Sequence, residues 1–311
     1  VSDVLDAARA FLDEDPDPET RDELSSVLAR AQVGDAAALA DLADRFSGGL
    51  SFGTAGLRGR VGAGLSRMNR VVVMKATQAL ASWLLDEPAL EARRRGVVVG
   101  FDGRYSSRQF AEDTAAVLAG MGLPAHVFPD PVPTPVCSFA VPALGAAAGV
   151  MVTASHNPPA DNGYKVYRET GGQILPPVDG EIASRIARSP AVPDIERLPP
   201  PDAAARGLRR AVSDAVEAAY LDGLAEGALH PRETTPLRLV YTAMHGVGHR
   251  LAFRAFLRAG FEGVVSVPSQ SDADGAFRTV AFPNPEEKGA MDRSLTLARE
   301  VGAELVLAND P

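Results

Sequence analysis

The run Val97-Val98-Val99-Gly100-Phe101 decides the fold class. It is short and continuously apolar, the pattern of a strand buried on both faces of a parallel sheet. Asp102-Gly103-Arg104 closes it. Ser106 and Ser107 then offer caps for a helix carrying Phe110, Thr114, Val117, Leu118 and Met121, which Gly122 stops. Ala125-His126-Val127-Phe128 reads as the next strand, followed by a proline-rich loop over 129–135, and Gly149-Val150-Met151-Val152-Thr153-Ala154 as another. Upstream, Val72, Ala76, Ala79, Leu80 and Trp83 predict one face of a helix over 69–85. Strands alternating with helices predict α/β layers around a largely parallel sheet.

Working outward, Val4, Leu5, Ala8, Phe11 and Leu12, then Leu24, Val27 and Leu28, recur at helical spacing. Pro18 is suited to open the second of these helices. Residues 189–207 hold Pro190, Pro193, Pro199, Pro200 and Pro201 with little periodicity and read as a linker or boundary. Beyond it the pattern restarts, with helices over 213–225, 248–259 and 289–301 and strands over 237–242, 264–267 and 304–308. The expected architecture is two successive three-layer α/β/α domains with mixed, largely parallel sheets, over 47–195 and 196–311. A short helical extension over 1–46 precedes them.

Length and composition agree with this. A chain of 311 residues has room for two cores. At 46% hydrophobic and 23% charged it is an ordinary globular sequence, which excludes a disordered tail, a collagen or a disulfide scaffold. Its 31 basic against 40 acidic residues give a net charge of −9, which argues against a nucleic-acid partner but leaves room for a local cationic pocket. Cys137 stands alone and cannot form an internal disulfide, so a reducing cytoplasmic location is expected. The first 15 residues have no basic, apolar leader pattern. The longest apolar stretch, 139–154, is interrupted by Pro142, Gly145 and Gly149 and falls short of the roughly 20 residues of a membrane span. No membrane partner is expected.

The chemistry concentrates in Thr153-Ala154-Ser155-His156-Asn157-Pro158-Pro159, followed by Asp161-Asn162-Gly163-Tyr164-Lys165. A buried strand delivers a hydroxyl to the sheet edge, where open α/β sheets bind ligands. Imidazole and amide donors flank Ser155, and Lys165 adds a cation. That set suits a hydroxyl that accepts and donates a phosphoryl group. The other reading is a polar loop with a capping serine. A Ser-His-Asp hydrolase fits less well, because adjacent Ser155 and His156 are poorly placed as a nucleophile–base pair and no G-x-S-x-G elbow is present. The loop over 53–64 carries five glycines with Arg58 and Arg60, a composition that can cradle a phosphate or simply form a turn. Asp102-Gly103-Arg104 lies at a strand end, which permits a site role, but reads first as a turn with an Asp–Arg pair. His245, in Met244-His245-Gly246-Val247-Gly248, lies at a strand end and could line a cleft or be structural. Phe282-Pro283-Asn284-Pro285 is a turn-rich loop, either exposed or touching a ligand.

Together these segments resemble the α-D-phosphohexomutase family of phosphoglucomutases and phosphomannomutases. Gly53-Thr54-Ala55-Gly56-Leu57-Arg58-Gly59, Thr153-Ala154-Ser155-His156-Asn157-Pro158 and Asp161-Asn162-Gly163-Tyr164-Lys165-Val166-Tyr167 carry the likeness. Val132-Pro133-Thr134-Pro135, Met244-His245-Gly246 and Phe282-Pro283-Asn284-Pro285 support it. The first 45 residues and the Thr-Ala-Gly-Leu-Arg-Gly spelling look like the branch that also includes phosphopentomutases. The resemblance implies an isomerase that interconverts a sugar 1-phosphate and its 6-phosphate (or 5-phosphate) through a phosphoserine and a bisphosphorylated sugar. It implies Ser155 as the phosphoserine, with Lys165, His156 and Arg58 assisting. Thr54, Gly56, Arg60, Asn157 and His245 are expected at the substrate and its phosphate. Mg²⁺ is the implied cofactor and a sugar 1,6-bisphosphate the implied activator, with a small phosphosugar as the partner molecule. Asp310, with the Ser155 phosphate, would be the first metal ligand.

The family's metal loop reads Asp-x-Asp-x-Asp-Arg after a strand, and Asn309-Asp310-Pro311 resembles only its beginning. The expectation is therefore an N-terminal fragment, inactive by itself. A phosphosugar-binding module without turnover and a phosphate-ester hydrolase are the alternatives. The preferred sugar and the oligomeric state are left open by the sequence.

Overall fold

The acidic N-terminal segment folds as three helices, α1 (Ser2–Glu14), α2 (Pro18–Gln32) and α3 (Ala36–Arg45). Pro18 takes the first position of α2, where an N–H would have no helical partner, and Asp17 caps the helix by accepting from the Glu19 N–H. Ala8, Phe11, Leu24 and Leu42 close into one cluster with Val71, Met74 and Val117 of the body that follows. Full burial of a leucine contributes about 2 kcal/mol, so the extension is held by packing on that body. In this computed structural model the described residues are 2–54, 56–227 and 237–311. Val1 of the expected extension, Ala55 of the glycine loop and residues 228–236 of the expected second domain lie outside them.

The first α/β unit runs through β1 (Leu57–Arg60), α4 (Arg70–Asp86), α5 (Ala92–Arg95), β2 (Val97–Phe101), α6 (Ser107–Gly120), β3 (Ala125–Val127) and α7 (Thr134–Ala143). It continues with β4 (Ala148–Val152), β5 (Asp161–Arg168), α8 (Val178–Ile186), α9 (Pro200–Ala205) and β6 (Arg209–Ala211). The sheet order is β1-β5-β4-β2-β3-β6. β4, β2, β3 and β6 are mutually parallel, while β5 lies antiparallel to β4 and β1 antiparallel to β5. The sheet is therefore mixed, with its parallel part at the apolar runs.

Alternation along β2 sets the layers. Val97, Val99 and Phe101 join Leu80, Leu84, Leu118 and Ile182 on one face, under α4, α6 and α8. Val98 and Met151 face Val136, Cys137 and Ala140 of α7 on the other. Gly100 is required there, since a Cβ would come within 2.8 Å of the Cys137 sulfur. Helix α4 differs from the single apolar face expected of it. Ten of its residues are buried, including Val71, Val73 and Met74, because it lies between the sheet and the N-terminal extension.

The segment expected as a linker over 189–207 instead contains α9 and leads into β6, which extends the first sheet by pairing with β3. The pairing register Ala125↔Arg209 shows why the sequence hides it: β6 is a short polar edge strand. The first sheet thus draws on residues past the expected boundary at 195/196.

The second unit comprises α10 (Asp214–Glu226), β7 (Leu239–Thr242), α11 (His249–Arg258), β8 (Val264–Ser266), α12 (Asp292–Val301) and β9 (Leu305–Ala308). Its three strands are parallel in the order β8-β7-β9. Val240 packs with Ala298 of α12, while Tyr241 meets Phe253 and Phe256 of α11 on the opposite face. Helix α10 joins the units. Its Tyr220 ring packs edge-on to Phe139 of α7 at 5.5 Å, and its Glu217 pairs with Arg250 and Arg254 of α11. Among the described residues no helix is long and apolar enough to cross a membrane.

Candidate active site

β4 ends at Val152, and the chain turns sharply to present Ser155. The Thr153 hydroxyl accepts the Ser155 N–H at 2.9 Å. Ser155 itself sits at φ +55°, in the left-handed region that a non-glycine residue occupies only when its surroundings impose it. Such conformations concentrate at sites where a side chain must be aimed. Ser155 lines a cavity of about 450 Å³ between the two units, together with Lys165, His245 and Asp310.

Lys165 reaches the cavity from β5, where it pairs with Met151 of β4. Burial and, secondarily, the nearby Arg58 charge push its ammonium below the ordinary lysine range. Arg58 lies on β1 opposite Gly163, and its Nη1 donates to the Asn157 side-chain oxygen at 3.1 Å. Asn157 in turn donates to Asp161 at 2.7 Å. The two cations thus face the serine loop from adjacent strands. This is how a chain of net charge −9 makes a locally positive site.

The second unit closes the other side. His156 Nδ1 and Asp310 Oδ2 are 2.7 Å apart across the cleft, and the His156 ring lies 6.3 Å from that of Phe282. The Phe-Pro-Asn-Pro loop therefore touches the serine loop. His245 is buried at φ +63°, its Nε2 is 2.8 Å from Thr279 Oγ1, and its N–H donates to the Gln270 carbonyl. Burial lowers its pKa, which favours the neutral ring.

Of the expected residues, Ser155, Lys165, His245 and Asp310 line this cavity, and Thr54, Gly56, Arg58, Arg60, His156 and Asn157 do not. Arg58, Asn157 and His156 join the site at its margin, through the Arg58–Asn157 bond and the His156–Asp310 contact. The expected glycine loop is partly β1, an edge strand, with Arg58 and Arg60 both exposed on it. Gly56, at φ +76°, presses on β5: a Cβ there would fall 1.9 Å from the Tyr164 carbonyl oxygen. Gly56→Ala should therefore destabilise the fold by about 3 kcal/mol, combining left-handed strain with a backbone clash. Urea unfolding checks this, and an unchanged midpoint would show that the turn relaxes freely.

Arg104, whose triplet the sequence reads as a turn pair with a site role as the alternative, and Phe277, which the sequence does not single out, also line the cavity. The available signal was an arginine just after a strand end, in Asp102-Gly103-Arg104.

Comparisons with known proteins identify the family. The phosphoglucomutase/phosphomannomutase α/β/α domain I model matches residues 49–192, and the domain II model matches 218–311. The chain belongs to the phosphoglucomutase/phosphomannomutase family. Its β7, β8 and β9 fall in the domain II match, and the Ser155 loop falls in domain I.

A Haemophilus influenzae protein named "Probable phosphomannomutase" is 43% identical over 78% of this chain and 48% of its own length. The mouse phosphopentomutase is 39% identical over 86% of this chain and 44% of its own. A solved phosphoglucomutase/phosphomannomutase family protein from Burkholderia thailandensis aligns with a TM-score of 0.61 at 25% identity, covering 80% of this chain and 49% of that one. The chain spans about half the length of the curated relatives it matches.

The metal expectation meets a limited donor set. Among the described residues no group of three His, Cys, Asp or Glu side chains is placed to hold an ion. Asp310 is the carboxylate beside Ser155 and His156, and one of its oxygens is paired with His156. Magnesium requires a near-octahedral shell of oxygens. These residues alone do not form one.

Proposed function

We propose that the protein carrying this chain is a phosphosugar mutase, isomerising hexose or pentose phosphates through a phosphorylated Ser155. One observation carries this reading: Ser155, held in left-handed geometry at a strand end, shares a cavity with a half-buried, pKa-lowered Lys165. The relatives named phosphomannomutase and phosphopentomutase support the same chemistry and leave the sugar open.

A sugar monophosphate hydroxyl attacks the phosphorus of phospho-Ser155. The new P–O bond to the sugar forms as the bond to Ser155 Oγ breaks. The sugar's proton passes to Lys165, and the resulting ammonium gives a proton to the departing Ser155 oxygen, which restores the neutral amine. The bisphosphorylated sugar then turns over and returns its other phosphoryl group to Ser155 by the reverse step. Arg58 and His156 offset charge on the transferring group, and Asn157, bonded to Arg58, fixes that cation. His245 faces the sugar from the second unit. Gly56 supports β1 and its Arg58, while Thr54 and Arg60 take no part in the transfer. Mg²⁺, with Asp310 and the Ser155 phosphate as ligands, and a sugar 1,6-bisphosphate activator belong to the proposal for the longer protein, as does a cytoplasmic setting.

The test is a coupled assay of the longer protein with glucose, mannose, ribose and deoxyribose 1-phosphates. Isomerisation of at least one is expected, with phosphate release far slower. Phosphate release as fast as isomerisation would favour a hydrolase. The 311-residue chain alone is expected to bind phosphosugar without turnover, because its relatives are about twice as long. Isomerisation by that chain would overturn this part.

A further inference from the structure

The loop that carries Ser155 is irregular, and its inward-facing carbonyls need donors. One side chain supplies them. Arg104 Nη2 donates to the carbonyl oxygens of Ser155 and Asn157, both at 2.7 Å, and Nη1 to those of Pro158 and Asp161, at 2.8 and 2.9 Å. These four bonds account for all four Nη hydrogens of the guanidinium. An arginine beside a phosphoryl site is ordinarily read as an anion ligand. Here its terminal donors are already engaged, and the residue is 4% exposed.

Arg104 is itself fixed. Its backbone N–H donates to Asp102 Oδ1 at 3.0 Å, Ser107 donates to the same oxygen at 2.5 Å, and Nε lies 3.3 Å from Asp102 Oδ2. The second unit covers it. The Phe277 ring, on a residue at φ +48°, stands 5.1 Å from the guanidinium carbon. Gly275 packs so closely that a Cβ would lie 3.0 Å from the Gly103 carbonyl oxygen and 3.1 Å from the Arg104 Cα. The loop over 273–277 thus seals the guanidinium from the domain II side.

We infer that Arg104 is a positioning residue: it holds the Ser155 loop in its reactive shape through four carbonyl bonds, with Phe277 of the second unit closing over it. Its catalytic consequence rests on the mutase reading above, and its effect on the loop does not. Lysine cannot replace it, since three donors from a single point cannot span four carbonyls.

The test has two arms. In the longer enzyme, Arg104→Lys and Arg104→Met should lower kcat by about 100-fold per folded molecule, with KM changed by less than about threefold, as expected for misplacement rather than lost binding. In the 311-residue chain, amides over 155–161 should exchange at least about tenfold faster in these variants, with β2 unchanged. Phe277→Leu leaves the guanidinium bonds intact and serves if the arginine variants fail to fold. It should speed loop exchange by about threefold, since it only uncovers the cation. Unchanged loop exchange, or a raised KM with unchanged kcat, would overturn the inference. A wild-type enzyme without mutase activity would defeat the functional reading, while the exchange arm would still decide the role of Arg104.

Discussion

Ser155→Ala in the longer protein is expected to lower kcat by at least about 10⁴-fold, because it removes the atom that accepts and returns the phosphoryl group. The fold should survive. It is the Ser155 backbone N–H that bonds Thr153 Oγ1, and alanine keeps both that N–H and the Cβ already tolerated at φ +55°. Stability should therefore shift by less than about 0.5 kcal/mol, as for a surface substitution away from special features. A variant that unfolds, or one that retains more than about a hundredth of the activity, would contradict the assignment of the nucleophile.

Lys165→Ala should lower kcat by about 10²- to 10³-fold with a small change in KM, the range of a positioned general base. The pH profile gives the sharper signature. Burial lowers the Lys165 pKa, with the Arg58 charge adding to it, so its neutral amine is populated at a lower pH than that of an exposed lysine. The neutral form accepts the sugar proton. Wild-type kcat should therefore fall as pH drops through that lowered pKa, and this limb should disappear in Lys165→Ala. Arg58→Gln should move the limb to higher pH, because it removes a neighbouring positive charge that disfavours the ammonium. A limb that survives in Lys165→Ala would assign the base elsewhere.

The sequence exposes the parts of this fold that obey a single period. β2 and the core of β4 are continuous apolar runs because both of their faces are covered, by α4, α6 and α8 on one side and α7 on the other. α11 and α12 follow helical spacing. What remains hidden does so for local physical reasons. The sequence predicts no strand at β5 because Asn162, Gly163 and Lys165 interrupt any apolar pattern. Yet Asn162 is fully buried and bonds the Ser106 and Ser107 hydroxyls, and a Cβ on Gly163 would fall 2.6 Å from the Thr153 carbonyl oxygen. α7 contains Pro135 near its start and Pro142 inside it, and the sequence predicts no helix over 134–143. β6 is a polar edge strand whose place is set only by pairing with β3.

The candidate site divides in the same way. Ser155 and Asn157 are legible because their motif follows the end of β4, and Lys165 and Arg58 because they stand in the motifs of β5 and β1. The His156–Asp310 contact, 154 residues apart in sequence, is created by the approach of the two units. So is the cover that Phe277 places on Arg104. An arginine bonded to four backbone carbonyls leaves no spacing pattern to read, because backbone carbonyls carry no residue identity.

Phosphosite mapping tests the central claim most directly. The longer protein, exposed to a sugar 1,6-bisphosphate and measured by intact mass and peptide fragmentation, should carry one phosphoryl group, on Ser155. That group should be lost to an added sugar monophosphate. Fully active enzyme with no phosphate on Ser155 at any stage of turnover would contradict the account.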